Sequence, residues 1–165
     1  MTEVIDESVE KWRRELEGDK DDPRANPPDD QRRVIFEEFS VHVSDGKVYT
    51  YDLTTKEGLA KCAKEAYILH EGDTFHYELK FRVHHELVLG LKMKTKAKKL
   101  LNSQEEEFEI GSFPPKVDQL TKVMIDCEVP TGFLARGKYD VVNTIINGKG
   151  ENLFSFDSKF EIVKA

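Results

Sequence analysis

From His76 onward polar and apolar side chains alternate singly, with Tyr77, Leu79, Phe81 and Val83 set against His76, Glu78, Lys80 and Arg82. A period of two is that of a strand with one buried face. Leu87, Leu89, Leu91 and Met93 repeat the pattern against Lys92, Lys94 and Lys96. Further strand candidates run from Val34 to Val43, Lys47 to Leu53, Glu107 to Ile110, Lys122 to Cys127, Tyr139 to Ile146 and Leu153 to Val163. Turn chemistry separates them at Ser44-Asp45-Gly46, Glu71-Gly72-Asp73, Pro114-Pro115 and Asn147-Gly148-Lys149-Gly150. Short strands at this spacing predict an all-β sandwich and not an α/β fold. Gly58 to Glu65 reads as one or two helical turns.

The first residues follow a different rhythm. Ile5, Val9, Trp12 and Leu16 recur at spacings of four, three and four, which places them on one face of a helix over about 5–17, closed by Gly18. Glu3, Asp6 and Glu7 lie early and Arg13 and Arg14 late, as the helix dipole favours. A helix this short needs a surface to lie on. Between Glu17 and Gln31, Asp and Pro dominate and no aliphatic side chain exceeds Ala, too little apolar surface to offset the entropy of ordering. The division expected is therefore a flexible, partly helical N-terminal arm over 1–32 and a sandwich over 33–165.

Composition narrows the function. The 165 residues allow one core plus an arm. A net charge of −7 argues against nucleic acid and against a standing attraction to anionic lipid, and favours basic partners. No apolar run approaches the roughly 20 residues of a membrane span, and the start is acidic where a signal peptide is basic, so a cytoplasmic protein is expected. Cys62 and Cys127 have neither CxxC spacing nor a nearby His pair, and read as reduced, structural thiols. His84-His85 is the one adjacent His pair, but neighbouring strand residues point to opposite faces and do not chelate one ion. No nucleophile elbow, phosphate loop, HExxH or catalytic carboxylate pair is present. The expectation is no enzyme, no metal and no cofactor. Glu105-Glu106-Glu107 reads as a solvated strand approach.

Ten Phe and five Tyr accompany one Trp, and Phe154, Phe156, Phe160 and Ile162 share a strand face interrupted by Ser158. That pattern fits a solid core and equally a cavity between sheets. Tyr139, two residues after Gly137, stands where immunoglobulin-like sandwiches carry a tyrosine tied back to the preceding corner, or is an ordinary strand tyrosine.

Several short motifs run in a fixed order along the chain: Asp6-Glu7-Ser8-Val9 with Trp12 and Gly18, Asp52-Leu53-Thr54, Leu69-x-Glu71-Gly72, Phe81-Arg82-Val83, Gly111-Ser112-Phe113-x-Pro115, and Pro130-x-Gly132-x-Leu134-Ala135-Arg136-Gly137-x-Tyr139. In this order and spacing the chain resembles the Rho GDP-dissociation inhibitors. The resemblance implies an immunoglobulin-like β-sandwich that holds a geranylgeranyl group between its sheets, and an arm that folds on the switch regions of a GDP-bound, prenylated Rho-family GTPase. A one-to-one complex of a monomer is implied, touching the membrane only in passing through its cargo. It assigns Asp6, Ser8, Val9, Trp12 and Leu16 to the switch contact. With strand alternation, it points to Phe81, Val83, Leu91, Met93, Phe113, Leu134, Phe154 and Phe156 as the prenyl lining. Asp118, Asp126 and Glu128 fall where the family meets a basic tail. The chain departs from the family in three places: it starts short of the common acidic extension, Asn147 to Gly150 replaces an acidic run, and Ser158 stands where Trp is frequent. Two other readings keep the sandwich: a general prenyl- or acyl-binding chaperone without a switch clamp, and a solid-core interaction module.

Overall fold

The computed structural model describes residues 2–165, with side chains from Val9 onward. Helix α1 (Thr2–Glu17) is followed by a 3-10 turn (Pro23–Ala25). Then come β1 (Val34–Val43), β2 (Val48–Asp52), α2 (Lys56–Lys64), β3 (Tyr67–His70), β4 (Thr74–Val83) and β5 (Val88–Lys99). The chain finishes through β6 (Asn102–Phe113), β7 (Leu120–Val123), β8 (Cys127–Glu128), β9 (Gly137–Ile146) and β10 (Asn152–Val163). One sheet has the order β2-β1-β4-β7 with β8 also on β4, and the other has the order β3-β10-β9-β5-β6. The fold is the expected immunoglobulin-like sandwich with a helical arm.

The inner faces follow the alternation. Tyr77, Leu79, Phe81 and Val83 of β4 are all buried, as are Leu91 and Met93 of β5. Aromatic rings knit the two layers together: Phe39 meets Phe156 edge-on at 5.0 Å, Tyr77 meets Phe108 at 5.4 Å, and Phe36 stacks on Phe154 at 5.5 Å. Such pairs contribute about 0.5–1.5 kcal/mol each beyond the area they bury.

Two strands depart from strict alternation. In β1 a register shift between Phe36 and Glu38 lets Phe36 and Phe39 both face inward despite their odd spacing. In β5 the shift falls between Val88 and Leu91, where Gly90 has φ 63°. Val88 therefore turns inward and Leu89 is 58% exposed, so the expected run of Leu87 and Leu89 with Leu91 is broken at this bulge. The expected strand from Lys122 to Cys127 is also interrupted, because β7 and β8 pair separately with β4.

Asp52-Leu53-Thr54 is the hinge that lays α2 on β2 and β10. The Asp52 carboxylate accepts from the Thr54 amide at 2.8 Å and from its hydroxyl at 2.6 Å, and Thr55 then caps α2 by accepting from the Gly58 amide at 3.0 Å. No helix of the described residues is long and apolar enough to cross a membrane.

Candidate functional site

The arm reaches the sandwich at Gly18. Its φ of 54° ends α1, and a Cβ there would stand 2.4 Å from the Pro115 carbonyl oxygen, so only glycine fits. The Asp19 amide donates to the Pro115 carbonyl at 2.8 Å, and the Asp19 carboxylate accepts from the Val117 amide at 2.9 Å. Further along, the His85 amide donates to the Ala25 carbonyl at 2.8 Å, and Ala25 is fully buried. The acidic segment thus makes specific contacts with the loop before β5 and with Pro114-Pro115. His84 and His85 serve this contact; burial holds the His84 imidazole below its usual pKa.

The stripe on α1 is left open. Val9 is 55% and Trp12 63% exposed, and Leu16 is half-buried. The side chains of Asp6 and Ser8 lie outside the described residues.

The prenyl-lining candidates divide. Phe81, Val83, Leu91, Met93 and Phe156 are buried between the sheets, with Phe113 and Phe154 packed against them. The Phe113 ring folds back beside Gly111 and meets Phe81 edge-on at 5.1 Å. Leu134 stands apart on the surface, 84% exposed, in the loop before β9.

Beyond this ring cluster a cavity of about 70 Å³ lies between the sheets, and none of the eight candidates lines it. Its walls come from Leu69, Phe75, Tyr77, Tyr139, Phe160 and Ile162, and its rim from Glu106, Cys127 and Glu128. Here the edge strand β6 of one sheet faces the two-residue β8 of the other, with no backbone ladder between them. The Cys127 thiol, 3.9 Å from the Glu106 carboxylate, reaches across. Burial and the Glu106 and Asp126 carboxylates push that thiol up to about 11. Both cysteines are free.

Two motifs converge beside this seam. Arg136 pairs with Glu71, and its guanidinium holds the Glu71 carboxyl below the usual range. Tyr139 donates from its hydroxyl to the Ala135 carbonyl at 2.6 Å, while the Lys99 ammonium donates to the Leu134 and Arg136 carbonyls, each at 2.6 Å. The Tyr139 ring then stacks on Phe160 at 4.6 Å. Leu69-x-Glu71-Gly72 and Ala135-Arg136-Gly137-x-Tyr139 are therefore one pinned corner that forms the wall of the seam, and Tyr139 is the corner tyrosine of an immunoglobulin-like sandwich.

Of the acids expected to meet a basic tail, Glu128 rims the seam and Asp126 sits in the adjoining β7–β8 loop. Asp118 lies apart, in the loop near the arm. Glu105, Glu106 and Glu107 are exposed, as expected of a solvated strand approach, and Glu106, in parity with Phe108 and Ile110, is the one of the three that reaches the rim. Behind the wall, Asn143 and Ser158 form a buried polar pair: the Asn143 amide donates to the Ser158 hydroxyl at 2.9 Å and to the Phe156 carbonyl at 3.2 Å. A second, open groove of about 830 Å³ lies at Val34, Phe36, Leu89, Asn147, Leu153 and Phe154, with Arg32, Arg33, Lys149, Glu86 and Glu151 at its edge.

The architecture is thus a two-layer sandwich with an anchored arm and an acid-rimmed gap between sheet edges. The model of the RHO protein GDP dissociation inhibitor family matches residues 2–165. The chain belongs to that family, whose members are non-catalytic regulators of Rho GTPases. Among its relatives, the Rho GDP-dissociation inhibitor of Saccharomyces cerevisiae is 29% identical over 164 residues, covering 96% of this chain and 81% of that protein. The Rho GDP-dissociation inhibitor of Schizosaccharomyces pombe is 26% identical, covering 97% of this chain and 78% of that protein. A Niemann-Pick type C2 protein from the Japanese carpenter ant shares the fold, at 10% identity and a TM-score of 0.52 over 82% of this chain and 98% of its own.

Proposed function

We propose that this protein binds a GDP-loaded, prenylated Rho-family GTPase one to one, holds its prenyl group between the two sheets and lays α1 on the switch regions to slow GDP release. The observation that carries the reading is the seam between β6 and β8: an apolar gap rimmed by Glu106 and Glu128 at the place where no strand ladder closes the sandwich. A basic stretch upstream of a prenylated cysteine suits that rim, and the cysteine's hydrocarbon suits the walls behind it. A formed pocket for a small ligand takes roughly 300–1,000 Å³. At about 70 Å³ the seam is a closed form, and entry of the tail parts the edges. Strand β8 pairs with β4 through only Thr74 with Glu128 and Phe75 with Cys127, the shortest ladder of that sheet, and this is the edge expected to give way. Burial of a twenty-carbon tail at about 0.8 kcal/mol per CH2 contributes on the order of 10 kcal/mol gross, comparable with its insertion in a bilayer. The second groove has the volume, but its rim mixes Arg32, Arg33 and Lys149 with Glu86 and Glu151 and so lacks the wholly acidic edge that suits a basic tail.

The test separates the two contacts. Ala97→Trp fills the seam from β5, where Ala97 lines it. That variant is expected to lose extraction of a prenylated Rho GTPase from liposomes and saturable uptake of a geranylgeranyl-cysteine probe, while still shifting Trp12 emission when the GTPase is added, read against an Ala97→Phe control. Deletion of residues 1–18 is expected to do the converse, restoring nucleotide exchange and leaving probe uptake within about twofold. Full extraction by Ala97→Trp would sink the seam, and full exchange inhibition by the truncated protein would sink the clamp.

A further inference from the structure

On the outer face of the β2-β1-β4-β7 sheet, away from the seam's interior, His42 of β1 lies directly opposite His76 of β4. Glu78 follows two residues after His76 and therefore shares that face. The two imidazoles stack at 4.9 Å with their planes 8° apart. His42 Nε2 is 3.2 Å from a Glu78 carboxylate oxygen and 3.0 Å from the Ser40 hydroxyl, and His76 Nδ1 is 3.3 Å from an Asp126 carboxylate oxygen. One ligand atom from each of His42, His76 and Glu78 falls within 4.8 Å of the others. Their side chains are 30%, 28% and 19% exposed, open enough for an ion to enter and covered enough to hold their rotamers.

We propose that His42, His76 and Glu78 form a binding site for a zinc-class divalent metal ion, with Asp126 as the fourth ligand. Two imidazoles and carboxylate oxygens are the donor set that borderline transition metals take, and that magnesium and calcium do not prefer. In a tetrahedral zinc site, with bonds of about 2.0–2.1 Å, neighbouring ligand atoms stand about 3.3 Å apart. The His42–Glu78 and His76–Asp126 pairs already have that separation, and the spread of up to 4.8 Å among the ligand atoms of His42, His76 and Glu78 has to close by side-chain rotation out of the stacked arrangement. The rigid β1–β4 register supplies two ligating strands, and the Ser40 hydroxyl, which now meets the same His42 Nε2 that faces Glu78, gives up that contact when the ion enters. An ion here would tie the β7–β8 loop to β4 and engage the Asp126 charge next to the seam's rim. The site stands whether or not lipid enters the seam.

The experiment is calorimetric titration of the full chain with zinc chloride, repeated with cobalt chloride and visible absorption. Expected is saturation at one ion per chain and a four-coordinate cobalt spectrum free of thiolate bands. His42→Ala, His76→Ala and Glu78→Gln should each weaken binding by at least about 10- to 100-fold, the range that even outer-contact losses reach. His70→Ala and Cys127→Ser should leave it unchanged, which distinguishes this site from Asp45-His70-Asp73 and from a thiolate site. The proposal is overturned by absence of saturable binding to the wild-type chain, by thiolate bands in the cobalt spectrum, or by binding that survives the Glu78→Gln and His42→Ala changes.

Discussion

At the scale of single residues, the most consequential burial is polar. Tyr67 is fully buried and its hydroxyl lies 3.0 Å from that of Tyr77, deep between the sheets. Burial pushes both phenols well above their ordinary value of 10.0; the Tyr77 hydroxyl adds to the rise at Tyr67, whereas at Tyr77 the shared hydrogen bond offsets part of it. The buried Cys62 thiol is likewise pushed from 9.0 up to about 12. A group whose pKa is raised on folding keeps its proton in the native state after the unfolded chain has lost it. Its stabilisation is therefore complete below the unfolded value and lost as pH rises beyond it. The urea midpoint is expected to hold steady between pH 7 and about 8.5 and to fall from about pH 9–10 upward. The paired Tyr67→Phe, Tyr77→Phe change should make that fall shallower, and a fall of unchanged steepness in the pair would refute the assignment. Tyr67 was not legible in the sequence, where it alone of the five tyrosines falls outside every expected strand. Tyr139 was, because Gly137 and the strand onset mark its place, and its bond to Ala135 follows from that position.

At the scale of elements, the regular strands were legible and the irregular ones were not. Strand β4 advertises itself by alternation alone, while β1, β9 and β10 are marked by apolar runs between turn residues. Strand β3 escaped because it has only four residues and pairs parallel with β10, about ninety positions along the chain. The bulge at Leu89-Gly90 escaped because alternation carries no mark of an inserted residue. Helix α2 proved longer than one or two turns, and its seating gives a sharp expectation. Gly58 sits where a Cβ would stand 2.0 Å from the Asp52 carbonyl oxygen, a backbone atom that cannot swing away. Gly58→Ala should therefore cost about 3 kcal/mol, at the upper end of ordinary overpacking, even though alanine favours helices. Urea unfolding of Gly58→Ala beside Thr55→Ala, which removes only the cap at about 1 kcal/mol, checks it. A smaller loss from Gly58→Ala than from Thr55→Ala would mean that α2 is not held against β2 in this way.

At the scale of the molecule, the arm and the sandwich meet through motifs that look unrelated along the chain. Gly111-Ser112-Phe113-x-Pro115 ends where Gly18 and Asp19 begin to bind: Phe113 closes the ring cluster from within, while the Pro115 carbonyl receives the arm from outside. Sequence periodicity could mark the amphipathic stripe of α1 and the turn at Gly18, but not their docking point, because contacts nearly a hundred residues apart leave no local pattern. Anchoring at Gly18 restricts where α1 can lie, and under the proposed clamp this would lower the ordering cost of docking its exposed Val9–Trp12 face. Gly18→Val separates this effect from the contacts themselves. Valine clashes with Pro115 and disfavours a φ of 54°, so the arm is released while every residue of α1 remains. Inhibition of GDP release should then weaken by about tenfold or more, equivalent to roughly 1.4 kcal/mol or more of lost preorganisation, with uptake of a geranylgeranyl-cysteine probe unchanged. Competition assays at rising protein concentration distinguish the cases, because a released arm still inhibits at saturation whereas a destroyed one does not. If Gly18→Val inhibits with wild-type potency, the arm finds its partner without help from Pro115, and the anchor serves the free protein alone.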